Sequence, residues 1–296
     1  MTIEKTDAHH HLWWMDSPHY PILRAPAAER FIGNTGGLKH DFGADQFLPL
    51  AAAQNVTRSV YVESYFDPPV AETAHIDAFA RDHGFPHAII GRVDMESAEL
   101  GATLDVHMRS SLFRGVRMMV NWDADPMLCA AAGPDVMVRP DWRAGYAELG
   151  RRGLSAEIMA TPAQLIDLAG LAAANPQTRL VVGHAGMPLR RTAHEHAVWR
   201  AGMTALAEMP HVNVKISGLA MIDHHWTVES VAPIVHELIA LFTPDRCMFA
   251  SNFPVEGLHA GYDALWDAFD AITTCYSDAA RNALFRDTAR RCYAIV

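Results

Sequence analysis

The chain has 296 residues, 50% of them hydrophobic and 20% charged, with a formal net charge of -10. This is the balance of a globular enzyme with a large core and excludes a disordered chain, while the acidic excess argues against a nucleic-acid partner, which would favour a basic face. Four scattered cysteines form no C-x-x-C pair, so neither a zinc finger nor a redox dithiol is indicated, and a reducing cytoplasm is the expected location.

In chain order, the opening MTIEKTDAHHHLWW sets Glu4, Asp7 and three histidines where a signal peptide would carry an apolar run. No later stretch approaches the ~20 apolar residues of a membrane span, so no membrane partner is expected. A strand over 3–8 ends in D-A-H-H-H-L-W, where His9 and His11 stand two apart and share a face while His10 points away. The stretch 13–43 holds prolines, glycines and aromatics without a steady period and reads as a long loop. Strands follow at 56–63, 87–93, 114–120, 154–160, 179–184, 211–217 and 246–250, with helical patterns between them at 70–83, 97–110, 141–152, 162–174, 196–208 and 228–241. Two closing helices follow at 261–273 and 278–292, the second with Ser277 as its N-cap.

Eight strands alternating with helices predict a single-domain (β/α)8 TIM barrel over 1–296, with the loop 13–43 above its mouth and the helices of 261–293 outside it. A barrel of this kind fills roughly 250 residues and draws its functional groups from the C-terminal ends of its strands. An H-x-H at the first strand end is a platform for a divalent ion such as zinc, which lowers the pKa of bound water toward ~7. Packed, hydrogen-bonded histidines are the plainer alternative. His184 closes the sixth strand between glycines that let a ligand approach the backbone, and Asn252 stands at the mouth of the eighth. Glu63, Arg117 and Lys215 end or line other strands, the cations suited to a substrate carboxylate and to an oxyanion. Trp13, Tyr20, Trp122, His224, His225 and Trp226 are placed to line the mouth, although core packing is the default for each tryptophan.

The D-A-H-H-H-L-W start, the G-H-A-G-M-P segment, V-K-I-S-G-L and the final S-N-F-P-V together resemble the amidohydrolase-2 branch of the amidohydrolase superfamily over nearly the whole chain. More narrowly, they resemble the barrel hydrolases that include sugar-acid lactonases and pyrone-dicarboxylate lactonases. The resemblance implies catalytic roles for His184, Asn252 and Glu63, substrate contacts from Trp13, Arg117, Lys215, Trp122 and His224, and a metal set of His9, His11 and Glu157. It leaves open one zinc or similar divalent ion, some lactonases of this group working without metal, and implies no organic cofactor and a small anionic or hydroxylated lactone as substrate; assembly of identical copies is left open. Two departures stand out. Asn252 occupies a position where relatives carry a water-activating aspartate, which makes Glu63 a candidate replacement base, and strand five offers Glu157, Ile158 and Met159 in place of a further histidine. Hydrolysis of a lactone is the leading expectation; decarboxylation or lactone isomerisation, and an inactive binding relative, are the rivals.

Overall fold

The computed structural model describes residues 3–296, so the first two residues of the expected 1–296 unit lie outside the described part. Eight parallel strands form one sheet in sequential order: β1 (Lys5–His10), β2 (Val56–Val62), β3 (Ala88–Gly91), β4 (Phe113–Met119), β5 (Ser155–Met159), β6 (Leu180–Val182), β7 (Val212–Ile216) and β8 (Cys247–Phe249). The (β/α)8 barrel expected from the alternation of strands and helices is therefore present. Six of its strands are one to three residues shorter than their sequence patterns, while β1 and β4 keep the expected lengths and are shifted along the chain by two residues and by one.

Helices return the chain between strands: α1 (Ala44–Ala53), α2 (Pro69–His83), α3 (Leu100–His107), α4 (Pro140–Arg151), α5 (Leu165–Ala173), α6 (Ala193–Ala207) and α7 (Val228–Phe242), followed by α8 (Tyr262–Ile272). Helix α1, with Pro49 inside it, was not among the expected helices. The long loop before it is not wholly irregular either, since it holds a short antiparallel pair, Glu29–Arg30 with Gly33–Asn34. The last helix runs from Asp278 to Tyr293 and contains a π segment at Ala283–Asp287.

Strand β1 is the least obvious member of the barrel, because K-T-D-A-H-H is polar yet buried at every position. It is tolerated because its polar groups are partnered. Lys5 Nζ donates to the Gln54 carbonyl at 2.8 Å, and His10 lies 2.9 Å from the Ser59 hydroxyl and stacks on Phe47 with centroids 4.0 Å apart. Asp7 accepts from the Ser251 amide at 2.9 Å, the Ser251 hydroxyl at 2.6 Å and the Tyr262 hydroxyl at 3.1 Å. These bonds join β1 to the segment after β8 where no regular ladder does. The join continues at the mouth, where the Asn252 amide donates to the His9 carbonyl at 2.7 Å and the His11 amide to the Phe253 carbonyl at 2.8 Å.

Two apolar layers follow. One packs the helices against the outside of the barrel; the other fills its interior with small and branched residues such as Ala8, Val60, Ile90, Val181 and Met248, joined by Cys292 and Tyr293 from the last helix and Ile295 just after it. That helix covers the N-terminal ends of the strands, where Arg114 Nε donates to the Tyr293 carbonyl at 2.6 Å and Arg179 Nη1 to the Cys292 carbonyl at 2.6 Å. The opposite end is thereby left for chemistry. Among the described residues no helix is long and apolar enough to cross a membrane.

Candidate active site

His9, His11, His184 and Asn252 converge at the C-terminal end of the barrel and are 1%, 4%, 2% and 2% exposed. A register shift between Asp7 and His10 in β1 sets the start of the histidine run. His9 Nε2 lies 3.2 Å from His11 Nε2, and the His9 ring centroid is 4.9 Å from that of His184. His11 Nδ1 is 2.9 Å from the Val62 carbonyl, which can only accept, so Nδ1 carries the proton and Nε2 offers its lone pair to His9. With its Nε2 proton directed at His11, His9 keeps a basic Nδ1 that is buried and has no partner. The Asn252 side chain lies against His11, and its Nδ2 is 3.6 Å from the Met221 sulfur.

Burial depresses all three imidazoles; Arg117 depresses all three further, and Lys215 also depresses His9 and His184. His9 and His184 are held well below the usual histidine range and His11 at about 4. At neutral pH they are uncharged and able to accept a proton.

The backbone that presents them is unusual. His184, Ala185, Gly186 and Met187 all have positive φ, at 49°, 58°, 68° and 50°, as do Tyr65 at 58° and Asn252 at 52°. Left-handed backbone costs a non-glycine residue about 1–2 kcal/mol, and such positions cluster at functional sites. The turn is held by the Trp199 indole N–H on the Ala185 carbonyl at 2.8 Å, and His184 Nδ1 is 3.1 Å from the Ser217 hydroxyl.

The charged residues fall into two pairs. Arg117 binds Glu63 through Nε at 2.9 Å and Nη2 at 2.7 Å, both to Oε1, while Glu63 Oε2 accepts from the Tyr65 amide at 2.9 Å. Burial would raise the Glu63 carboxyl, but the Arg117 guanidinium outweighs this and holds it below the usual range. Glu63 is thus an engaged carboxylate and a weak base. Lys215 Nζ binds Glu157 Oε2 at 2.7 Å and sits 5.1 Å from the Tyr293 ring centre, and the Tyr293 hydroxyl donates to the other Glu157 oxygen.

Glu157 therefore does not join His9 and His11 as expected of a metal set, because both of its oxygens are taken by a cation and a phenol. Among the described residues no group of three or more His, Cys, Asp or Glu is arranged to hold a metal. The His9–His11 spacing suits two ligands of one ion, and the third imidazole, His184, lies with its ring centroid 4.9 Å from that of His9, but the three are not arranged as the three-ligand set a zinc site uses.

The expected mouth residues fall in different places. Trp13 is buried with its ring centroid 6.4 Å from that of His11 and its indole N–H on the His40 carbonyl at 2.7 Å, and Tyr20 is buried against Phe66. Trp122 is half-buried, with its amide on Gln164. His224 stacks on His259 with centroids 3.8 Å apart, and the two reach the carbonyls of Phe31 and Ile32 at 3.0 and 2.7 Å, so they clasp the long loop. Trp226 donates to the His259 carbonyl at 3.3 Å, and His225 is exposed. Sequence reasoning passed over Asp7, Ser217, Arg92 and Glu256. Arg92 ends a predicted strand and Asp7 lies inside one, so both carried a signal, whereas Ser217 and Glu256 are distinguished only by their spatial partners.

The model of the amidohydrolase family matches residues 6–295. A Sinorhizobium fredii protein, known only as uncharacterized protein y4mH, is 38% identical over 98% of both chains. An L-fucono-1,5-lactonase of Burkholderia ambifaria is 30% identical over 90% of this chain and 86% of its own. The crystal structure of a Burkholderia multivorans amidohydrolase with bound zinc superposes with a TM-score of 0.84 at 28% identity, covering 99% of this chain and 100% of the other. With a match of that extent and these relatives, the chain belongs to the amidohydrolase family.

Proposed function

We propose that the protein is a hydrolase that opens a small lactone by water attack on the ring carbonyl, releasing the hydroxy acid. The observation that carries this reading is the cluster of three uncharged imidazoles at the strand ends, one of them with an unpartnered basic nitrogen. Kinship to an L-fucono-1,5-lactonase supports the same class. The attacking water donates one hydrogen bond to His9 Nδ1, the buried nitrogen without a partner. As its oxygen attacks the carbonyl, His184 takes its proton through Nε2, Nδ1 being directed at Ser217. The tetrahedral oxyanion is stabilised by the field of Arg117, which Glu63 positions. Collapse breaks the ring C–O bond, and the proton on His184 passes to the leaving oxygen. No step runs through a divalent ion, because the three imidazoles are not arranged as a metal set.

The test is a pH-indicator screen of a lactone library with the purified protein. The expected result is lactone-dependent acid release, with His184→Ala lowering kcat by about 10²- to 10⁴-fold. Silence on every lactone, or activity unchanged in His184→Ala, would overturn the assignment. Asn252, which cannot serve as a base, favours decarboxylation as the second reading. Carbon dioxide release without ring opening would select it.

A further inference from the structure

A cavity of about 330 Å³ lies between the ends of β2, β3 and β4 and shares Glu63 and Arg117 with the imidazole site. Its volume is at the lower end of small-molecule sites. The charged groups on its wall are spent on one another. Arg117 gives Nε and Nη2 to Glu63, and Arg92 forms an ion pair with the same carboxylate at 3.6 Å while its Nη2 donates to the Phe66 carbonyl at 3.0 Å. Arg139 pairs with Asp135 at 3.0 Å and with Glu96 at 3.4 Å. Asp94 is exposed at the rim, where it accepts from the Glu96 amide.

What is left to meet a ligand is apolar. Val93, Met119, Ala131 and Val136 are half-buried on the wall and Ala130 and Ala132 are exposed there, so these side chains keep surface that a ligand can cover. The Tyr65 ring lies against both guanidiniums, its centre 5.8 Å from the Arg92 carbon and 5.7 Å from that of Arg117, and its hydroxyl donates to the Met119 sulfur at 3.2 Å. Among the described residues that line the cavity there is no serine, threonine, asparagine or glutamine. A hydroxyl group moved here from water would find no neutral side chain other than that phenol to replace its hydrogen bonds, which is costly, whereas an alkyl group gains the free energy of leaving water. A carboxylate would meet guanidiniums that are already paired, with Glu63 beside them and Asp94 at the rim.

Resting on the lactonase reading, we propose that this cavity is an apolar subsite and that the substrate is a lactone carrying a short alkyl or aryl substituent, seated against Val93, Met119, Ala131 and Val136. The Glu63–Arg117 pair forms the boundary between the subsite and the imidazoles, since the Arg117 charge acts on all three of them. With the substituent in the cavity, the ring carbonyl stays on the imidazole side of that boundary. A polyhydroxylated sugar lactone lacks the group this wall favours.

The experiment measures kcat/KM for δ-valerolactone, its methyl and propyl homologues δ-hexalactone and δ-octalactone, and L-fucono-1,5-lactone in the wild type, Ala131→Asn and Val136→Thr. Calorimetry follows the binding of two lactams that cannot be opened as esters, piperidin-2-one and 6-propylpiperidin-2-one, to the same proteins. The wild type is expected to gain about 3- to 4-fold in kcat/KM per added methylene and to open δ-octalactone faster than L-fucono-1,5-lactone. The propyl lactam should bind more tightly than its parent in similar proportion. In Ala131→Asn the gain across the series falls by about 10-fold, and in Val136→Thr by less, because a polar group on the wall must lose its water when the substituent enters. Circular dichroism checks that each variant folds, and Val136→Thr, which keeps the outline of valine, carries the test alone should Ala131→Asn fail to fold. Lactones opened with no gain along the series, a preference for L-fucono-1,5-lactone, or a gain unmoved in the folded variants would overturn the inference while the hydrolase reading stands. A propyl-lactam preference that the variants weaken, in a protein that opens no lactone, would sink the hydrolase reading and keep the apolar subsite. A propyl lactam bound no more tightly than its parent counts against the subsite.

Discussion

At His184 the chain makes a full left-handed turn, and the space that receives the imidazole is made by the absence of a side chain on another loop. A Cβ on Gly218 would lie 2.7 Å from His184 Cβ and 2.9 Å from Nδ1, and Gly218 itself has a φ of 72°. Gly218→Ala is therefore expected to cost about 1–2 kcal/mol in backbone strain and to displace the imidazole from Ser217. Its kcat should fall at least ~10²-fold, a loss typical of a displaced acid-base group; unchanged turnover in a folded Gly218→Ala would show that the His184–Ser217 contact is dispensable. His9, His11 and His184 were legible in the sequence, the first two from alternation and the third from its flanking glycines. Gly218 stands in the V-K-I-S-G-L motif, but its role was not legible, because the contact that makes it necessary joins residues 34 positions apart, 184 and 218.

Among the elements, the barrel strands were readable because branched apolar runs recur between helical patterns. Helix α1 was not, since it follows an aperiodic loop and contains Pro49. Nor could strand pattern alone say that the last helix reaches into the barrel. There Tyr293 and Lys215 share Glu157 in a fully buried trio. Removing one member of a buried ion pair leaves the other charge uncompensated, so Lys215→Met is expected to destabilise the fold by about 3–5 kcal/mol, against about 1–3 kcal/mol for Tyr293→Phe. Urea denaturation would check the order; equal losses would mean that the Lys215–Glu157 pair contributes no more than the Tyr293 hydrogen bond. The long loop is held by other means. His259→Ala removes both the stack on His224 and the bond to the Ile32 carbonyl. It should speed proteolytic cleavage within residues 28–35, and an unchanged cleavage rate would show that other contacts hold that stretch.

For the molecule as a whole, buried acids and buried imidazoles pull the pH dependence of stability in opposite directions. Burial raises Glu72 and Glu256 to about 8 and Asp7 to about 6, and lowers His10 to about 3 and His11 to about 4. A carboxyl that keeps its proton when folded and loses it when unfolded favours the folded chain at low pH, and this stability is lost as pH rises from about 4.5 toward 8; the neutral imidazoles favour the folded chain above about 6.5 and lose that contribution as pH falls below it. Glu256 accepts from the Met221 amide at 2.8 Å and fixes the loop beside Asn252. Glu256→Gln removes its titration, so the Tm of the variant should gain on wild type as pH rises from 6 to 8, at up to about 1 kcal/mol per pH unit. A constant difference would mean that Glu256 is ionised in the fold. None of these shifts could be read from the sequence, because each depends on burial by distant segments. The same holds for the way the ring shuts. Regular ladder bonds link β1 through to β8 in series, but between the last strand and the first the connection rests on Asp7 and a few amides. Such a seam gives the wall one line along which it parts first, so the amides of Ser251 and Asn252 should exchange with deuterium through a partial opening, while those of β4 and β5 wait for global unfolding.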